Sequence, residues 1–418
     1  MILNKFKPLA VTALVATFLF SCSQDEQKDQ QIDEQLVAPS SSNIIESQYI
    51  VVFNKNVTGD ASSKYPESYT KAQEAVANTT KKLLSDANIP DAELLAVYSK
   101  TINGVALKLN LEQVESLRKK KEIAFIEEDR IVQFAPPCGT PNGGPCDGDP
   151  GDGGDGGGDG STSQVTPYGI ARVNGVASYT GSNVAWVIDS GIDTDHPDLN
   201  VDASRGFNAF TSGKDGKSTD DGNGHGTHVA GTIAALNNNI GVIGVAPGAT
   251  VVPVKVLDSR GSGSYSGVIA GVDHVAAYGS AGDVANMSLG GPTSDALDSA
   301  VLSASQNGII FALAAGNESS DANTSSPARV NGANIVTISA MDSNDNWASF
   351  SNYGNPPVDY AAPGVAINST WKGGGYNSIS GTSMASPHAA GVLLLGSAST
   401  DGTVNGDPDG TADAIIVH

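Results

Sequence analysis

Apolar residues follow two different rhythms along the chain. Between 48 and 134 they alternate between strand and helix periods. Residues 48–53 (QYIVVF) predict a strand, and 69–87 an amphipathic helix. Two strands follow at 94–99 and 104–109, around a turn at Ile102-Asn103. A second helix is predicted over 111–120, and a last strand over 123–134 that breaks at its acidic residues. From about Gln164 the rhythm changes to short, continuous apolar runs that end in Gly-rich turns. The runs at 183–188, 251–257, 284–288, 309–314 and 334–339 read as buried parallel strands. Helical periods lie between and after them, at 225–236, 265–277, 295–307 and 383–396.

The βαββαβ order of the first region predicts a small α+β, ferredoxin-like unit. The second region predicts an α/β domain with a doubly wound parallel sheet, whose sites form at the carboxyl ends of the strands. Between them, residues 147–160 contain only Asp, Gly and one Pro, which bury no core and predict a solvated spacer. This run lacks the apolar position that a calcium-binding nonapeptide repeat needs. The organisation expected is a leader at 1–21, a polar tether at 22–47, the small domain at 48–134, a linker at 135–163, the large domain at 164–400 and a tail at 401–418.

The leader carries Lys5 and Lys7 ahead of an apolar run too short to span a bilayer, which predicts export. It ends in Leu19-Phe20-Ser21-Cys22, similar to a bacterial lipobox with Phe20 bulkier than usual, and the resemblance implies lipid attachment at Cys22. An ordinary signal peptide with an incidental cysteine is the plainer alternative. Cys138 and Cys146 remain as an even pair, able to close a small disulfide loop in an oxidising compartment. The formal net charge of −22 argues against nucleic acid as a partner, because a phosphate backbone would be repelled.

Candidate chemistry sits where the apolar runs end. A glycine-flanked serine, Ser383, opens the last helix, with Pro387 expected in its first turn. A serine there has its hydroxyl beside unpaired backbone N–H groups, which suits an oxyanion. Asp189 ends the strand AWVID, His225 and His228 start a helix within DGNGHGTHVAGT, and Asn317 follows the strand FALAAG. Taken singly these are a cap serine, a turn carboxylate, helix histidines and a turn asparagine. Together they supply what acyl transfer requires: nucleophile, base, orienting carboxylate and oxyanion donor. A zinc pair of His225 and His228 is disfavoured, since the i, i+4 spacing and intervening glutamate are missing. An esterase elbow is disfavoured because GTSMA lacks its second glycine.

The order Asp, His, Ser and the segments around it resemble the subtilase family over roughly 165–398. Residues 256–266, 286–291 and 367–371 are most similar to its proteinase K branch. Residues 48–134 resemble the family's inhibitory propeptide. The resemblance implies a serine endopeptidase made as a zymogen, with Ser383 as nucleophile, His225 as general base and then acid, and Asp189 orienting it. Asn317 and the Ser383 N–H would form the oxyanion hole. Ser288, Leu289 and Gly290 would pair with substrate backbone. Ala314, Ala315 and Gly316 would line a primary pocket for a large apolar side chain, with Tyr265 on the rim further upstream. His228 is expected to be structural. The resemblance implies protein and peptide substrates, a propeptide acting as intramolecular inhibitor and chaperone, a monomer, and no cofactor for the chemistry. Structural calcium is expected, with Asp195, Asp198, Asp220 and Asp221 as candidate ligands. Self-cleavage close to Phe134-Ala135 would leave the lipid on the propeptide and free an extracellular protease. The competing expectation is an inactive, lipid-anchored binding module on the same scaffold.

Overall fold

The computed structural model describes residues 43–54, 57, 64–66, 68–133, 163–396 and 398–418. The expected leader, the lipidation at Cys22, the Cys138–Cys146 pair, the spacer and the Phe134-Ala135 bond lie outside the described residues.

The first region forms strand β1 (Ile44–Phe53), helix α1 (Tyr69–Asp86), β2 (Glu93–Tyr98), β3 (Gly104–Lys108), α2 (Leu111–Arg118) and β4 (Ile123–Gln133). This is the βαββαβ order expected from the sequence. Ser68 caps α1, and Asn110 with Gln113 forms a capping box on α2. Strand β1 ends in five buried residues because both its faces are covered. Tyr49, Val51 and Phe53 pack on Val76, Leu83 and Leu117 of the two helices. Ile50 and Val52 face the opposite way, into a core that continues through the large domain. The expected break in the last strand is absent: β4 runs through Glu127, Glu128 and Asp129 without interruption. The irregularity falls in the pairing instead, which shifts register against β1 between Glu128 and Arg130, and Glu127 and Asp129 find partners on the large domain.

The large domain continues with α3 (Tyr168–Arg172), β5 (Ala185–Asp189), β6 (Phe207–Asn208), α4 (His225–Ala234), β7 (Val251–Lys255), β8 (Ser262–Ser264), α5 (Tyr265–Tyr278) and β9 (Val284–Met287). Then come β10 (Gly291–Pro292), α6 (Asp295–Ser305), β11 (Ile310–Ala314), β12 (Ser325–Ser326), β13 (Ile335–Met341) and β14 (Val358–Pro363). The chain closes with β15 (Ile367–Trp371), β16 (Gly375–Ile379), α7 (Thr382–Leu395), β17 (Ser399–Thr403) and β18 (Ala414–Val417).

A nine-stranded sheet runs in the order β17-β18-β14-β13-β11-β9-β5-β7-β6, parallel except for β17. Along β5, Trp186 and Ile188 point into one apolar layer with α5 and α6, while Ala185 and Val187 point into another with α4 and α7. A strand buried on both faces is why the sequence shows a continuous apolar run there. Strand order reverses at β5, which lies between β7 and β9, so its carboxyl end is the switch point where α/β sheets place their sites. The expected tail is part of this sheet: Ile415 pairs with Ala361 of β14, and β17 folds back on β18. Its apolar residues Val404, Ile415 and Val417 pack with Met341 and Ala361.

Candidate active site

Asp189 is the last residue of β5, fully buried, and accepts the Ser190 N–H at 2.6 Å. His225 is the first residue of α4, and its Nδ1 lies 2.9 Å from both Asp189 carboxylate oxygens. A carboxylate only accepts, so Nδ1 carries the proton and Nε2 the lone pair. Glycine precedes His225 for two reasons. Gly224 has φ +117°, and a Cβ there would meet the Trp371 ring at 2.4 Å.

Ser383 is the second residue of α7, in the first turn, where backbone N–H groups have no helical acceptor. Its hydroxyl donates to the Ser288 carbonyl at 3.2 Å. Pro387 is not in the first turn, because α7 already begins at Thr382. It stands four residues after Ser383 and offers no N–H to the Ser383 carbonyl. The Ser288 hydroxyl donates to that carbonyl instead, at 2.7 Å. Ser288 is steadied by Asn286, whose Nδ2 donates to it at 2.9 Å and whose Oδ1 accepts from Ser386 at 2.8 Å. The Asn317 Oδ1 accepts the N–H and the hydroxyl of Thr382, at 2.8 and 2.9 Å, which leaves Nδ2 as the donor edge of the amide.

Ser383 and Asn317 share a cleft with about 380 Å³ of empty space. Ala314, Ala315 and Gly316, expected to line the primary pocket, line this cleft and make room by their small side chains, and Leu289 and Gly290, expected to pair with substrate backbone, border it too. Sequence reading missed Gly291, Glu318, Ser325, Ala328 and Thr382, which line it too. Ser325, in β12, and Ala328, just after it, belong to a stretch with no apolar rhythm, tied to β10 by the Gly291–Ser326 pairing. Ser288 does not line the cleft, being buried against Ser383. Tyr265, expected on the rim of a pocket further upstream, lies outside this cleft; with the propeptide strand in place its ring is fully buried and its hydroxyl donates to the Pro292 carbonyl at 2.5 Å.

Gln133, the end of β4, also lines the cleft. Strand β4 reaches it by pairing antiparallel with β8, as Ile131 with Ser264 and Gln133 with Ser262. The small domain thus lends four strands to a five-stranded sheet that the large domain completes. Asp129 accepts the N–H and hydroxyl of Ser266, at 3.0 and 2.5 Å, at the N-terminus of α5. Glu127 accepts the hydroxyl of Ser294, the N-cap of α6. In return Asp273 accepts the N–H groups of Ser99, Lys100 and Thr101 within 3.1 Å. Helix N-termini attract carboxylates, so two of these contacts also satisfy the helix dipoles. Burial pushes all three carboxylates above their ordinary range.

The four acidic candidates for calcium do not converge. Asp195 and Asp220 are exposed. Asp198 accepts from Asn238, Val242 and Tyr376, and Asp221 is committed to the start of α4. Among the described residues no group of three or more His, Cys, Asp or Glu is placed to hold a metal ion. His228 faces the Ile367 carbonyl at 2.9 Å through Nε2, and burial pushes its pKa down to about 3. It is a neutral donor holding β15 to α4.

A carboxylate-paired imidazole, a helix-borne serine and an amide donor at strand and helix ends are the groups that a serine hydrolase requires. Residues 181–404 match the model of the Subtilase family, and residues 48–135 that of Peptidase inhibitor I9. Subtilisin E of Bacillus subtilis is 41% identical over 341 residues, 79% of either chain. M-protease of Shouchella clausii is 39% identical over 395 residues, 93% of this chain and 87% of its own. Among solved structures, a cold adapted subtilisin-like serine proteinase is 40% identical, with a TM-score of 0.50, over 59% of this chain and 96% of that one. The chain belongs to the subtilase family. It is a subtilisin-type serine endopeptidase preceded by an inhibitor propeptide domain.

Proposed function

We propose that this protein is a self-processed zymogen of a protease that cuts after large apolar or aromatic residues by an acyl-enzyme route. His225 Nε2 takes the Ser383 hydroxyl proton as the oxygen turns from the Ser288 carbonyl and attacks the scissile carbonyl. Asn317 Nδ2 and the Ser383 N–H receive the oxyanion, and His225 returns the proton to the leaving amine. Water then hydrolyses the acyl-enzyme by the same proton transfers in reverse. Asp189 stabilises the imidazolium between these steps. These side chains, the Ser383 N–H and water supply every proton transfer in the scheme, so it calls on no cofactor.

Two observations carry this reading: the His225–Asp189 pair at 2.9 Å, and a cleft that Ser383, Asn317 and the propeptide's Gln133 share. The 256–266, 286–291 and 367–371 segments support a proteinase K-like branch assignment, although the relatives named above are Subtilisin E, M-protease and a subtilisin-like serine proteinase. The leader and Cys22 support an exported, lipid-anchored precursor whose protease is freed by cleavage near Phe134. No helix among the described residues is long and apolar enough to cross a membrane.

Wild type and Ser383→Ala, incubated with casein and resolved on a gel, test this. Self-cleavage and casein digestion by the wild type alone support it. Two folded, intact and inert proteins would favour the binding module.

A further inference from the structure

Asp221, one of the residues that read as a metal ligand, has a different task. Its buried carboxylate accepts hydrogen bonds from two elements of the site at once. From α4 and the loop leading into it come the N–H groups of Asn223, Gly224 and Thr227, at 2.8, 2.9 and 3.0 Å, and the Thr227 hydroxyl at 2.7 Å. From the end of β5 comes the Ser190 hydroxyl, at 2.9 Å. Ser190 in turn accepts the Gly226 N–H at 3.0 Å, and its own N–H donates to the Asp189 carboxylate at 2.6 Å. The first turn of α4 has no cap from its own N-cap residue, Gly224, so Asp221 supplies one from three residues upstream. The two elements also touch directly, since a Cβ on Gly226 would lie 2.1 Å from the Gly191 carbonyl.

We propose that Asp221 is a positioning residue for the reaction, acting through Ser190 to fix the His225 helix against the strand end that bears Asp189. His225 is the residue between Gly224 and Gly226, both of whose N–H groups belong to this network, and Asp189 adjoins Ser190. One rigid group therefore sets where the imidazole and its orienting carboxylate meet. Asp221 does not line the cleft, so its loss acts on turnover and not on substrate capture. Small misplacement of catalytic groups costs about 10²-fold in rate. The inference rests on the protease reading above.

The test compares wild type, Asp221→Asn, Ser190→Ala and the double variant, produced as full chains, on a chromogenic peptide and on casein, with melting curves to confirm folding. Ser383→Ala sets the background. Asp221→Asn and Ser190→Ala should each lower kcat about 10- to 10²-fold with KM within about twofold. The double variant should lose no more than the worse single, because both break one linkage. If Asp221→Asn does not fold, Ser190→Ala carries the test by the same split. A folded single variant with unchanged kcat, a loss that appears in KM, or losses that multiply would overturn the positioning role while leaving the protease intact. A wild type no more active than Ser383→Ala would instead remove the protease reading beneath it.

Discussion

Ser288 and Ser383 exchange hydrogen bonds in both directions, hydroxyl to carbonyl at 2.7 Å one way and 3.2 Å the other. The exchange exists because Pro387 deprives the Ser383 carbonyl of its helical donor. Ser288→Ala should leave that carbonyl buried and unsatisfied, at about 1–3 kcal/mol. Adding Pro387→Ala supplies an N–H at the right position and should recover part of the loss. Urea unfolding of the two single variants and the double variant checks this; equal stabilities for Ser288→Ala and the double variant would contradict it.

Asn317→Ala should lower kcat about 10²–10³-fold with little change in KM, the loss known for an oxyanion-hole donor in subtilisin. Thr382 holds the acceptor edge of this amide, so Thr382→Val should produce a milder form of the same defect. Steady-state kinetics on one peptide substrate separate the two parameters.

Propeptide binding should tighten as pH falls toward the carboxylate range. Glu127, Asp129 and Asp273 are pushed up by burial in the docked state. A carboxylate whose pKa is higher docked than free takes up a proton on docking, so acid favours the complex and alkali loosens it. Inhibition constants of added propeptide should rise with pH through the upper carboxylate range and level off above it. Asp129→Asn should flatten that slope, and a slope of the opposite sign would refute the assignment.

Asp413 is held between Ser339 and Asn355, and burial pushes its pKa up from 3.8 to about 6. The folded state therefore binds its proton more tightly than the unfolded chain. The stability this contributes is complete below about pH 4 and is lost as pH rises through 6. Thermal unfolding of wild type and Asp413→Asn should differ least favourably for the variant at pH 4 and most favourably at pH 8.

The sequence was most legible where chemistry coincides with the end of an element. Asp189 ends an apolar strand, and His225 and Ser383 open helices, so each was visible as a polar residue at a boundary. Asn317 follows a strand for the same reason. Acidic loops were misleading, because spacing alone does not distinguish carboxylates that converge from carboxylates such as Asp198 and Asp221 that cap nearby N–H groups. The burial of Tyr265 was not legible, because nothing local shows that the propeptide strand and Pro292 enclose it. The tail hid its strands for a simpler reason: all of β17 is exposed, and only Ile415–Val417 signals a core. The unbroken β4 was illegible because the partners of Glu127 and Asp129 lie more than 130 residues away.

The place of Ser383 in the chain has a consequence in time. Asp189 belongs to the fifth strand, whereas Ser383 lies on the last helix, and the C-terminal strands close the sheet after it. Contacts between such distant segments carry the largest loop-closure entropy and form late. The small domain, whose own strand pairings all lie within residues 44–130, is synthesised ahead of the large one and has β4 ready to pair with β8 long before the nucleophile arrives. The protease therefore acquires its cutting edge with its sheath already on, and a half-built molecule has nothing with which to attack its neighbours.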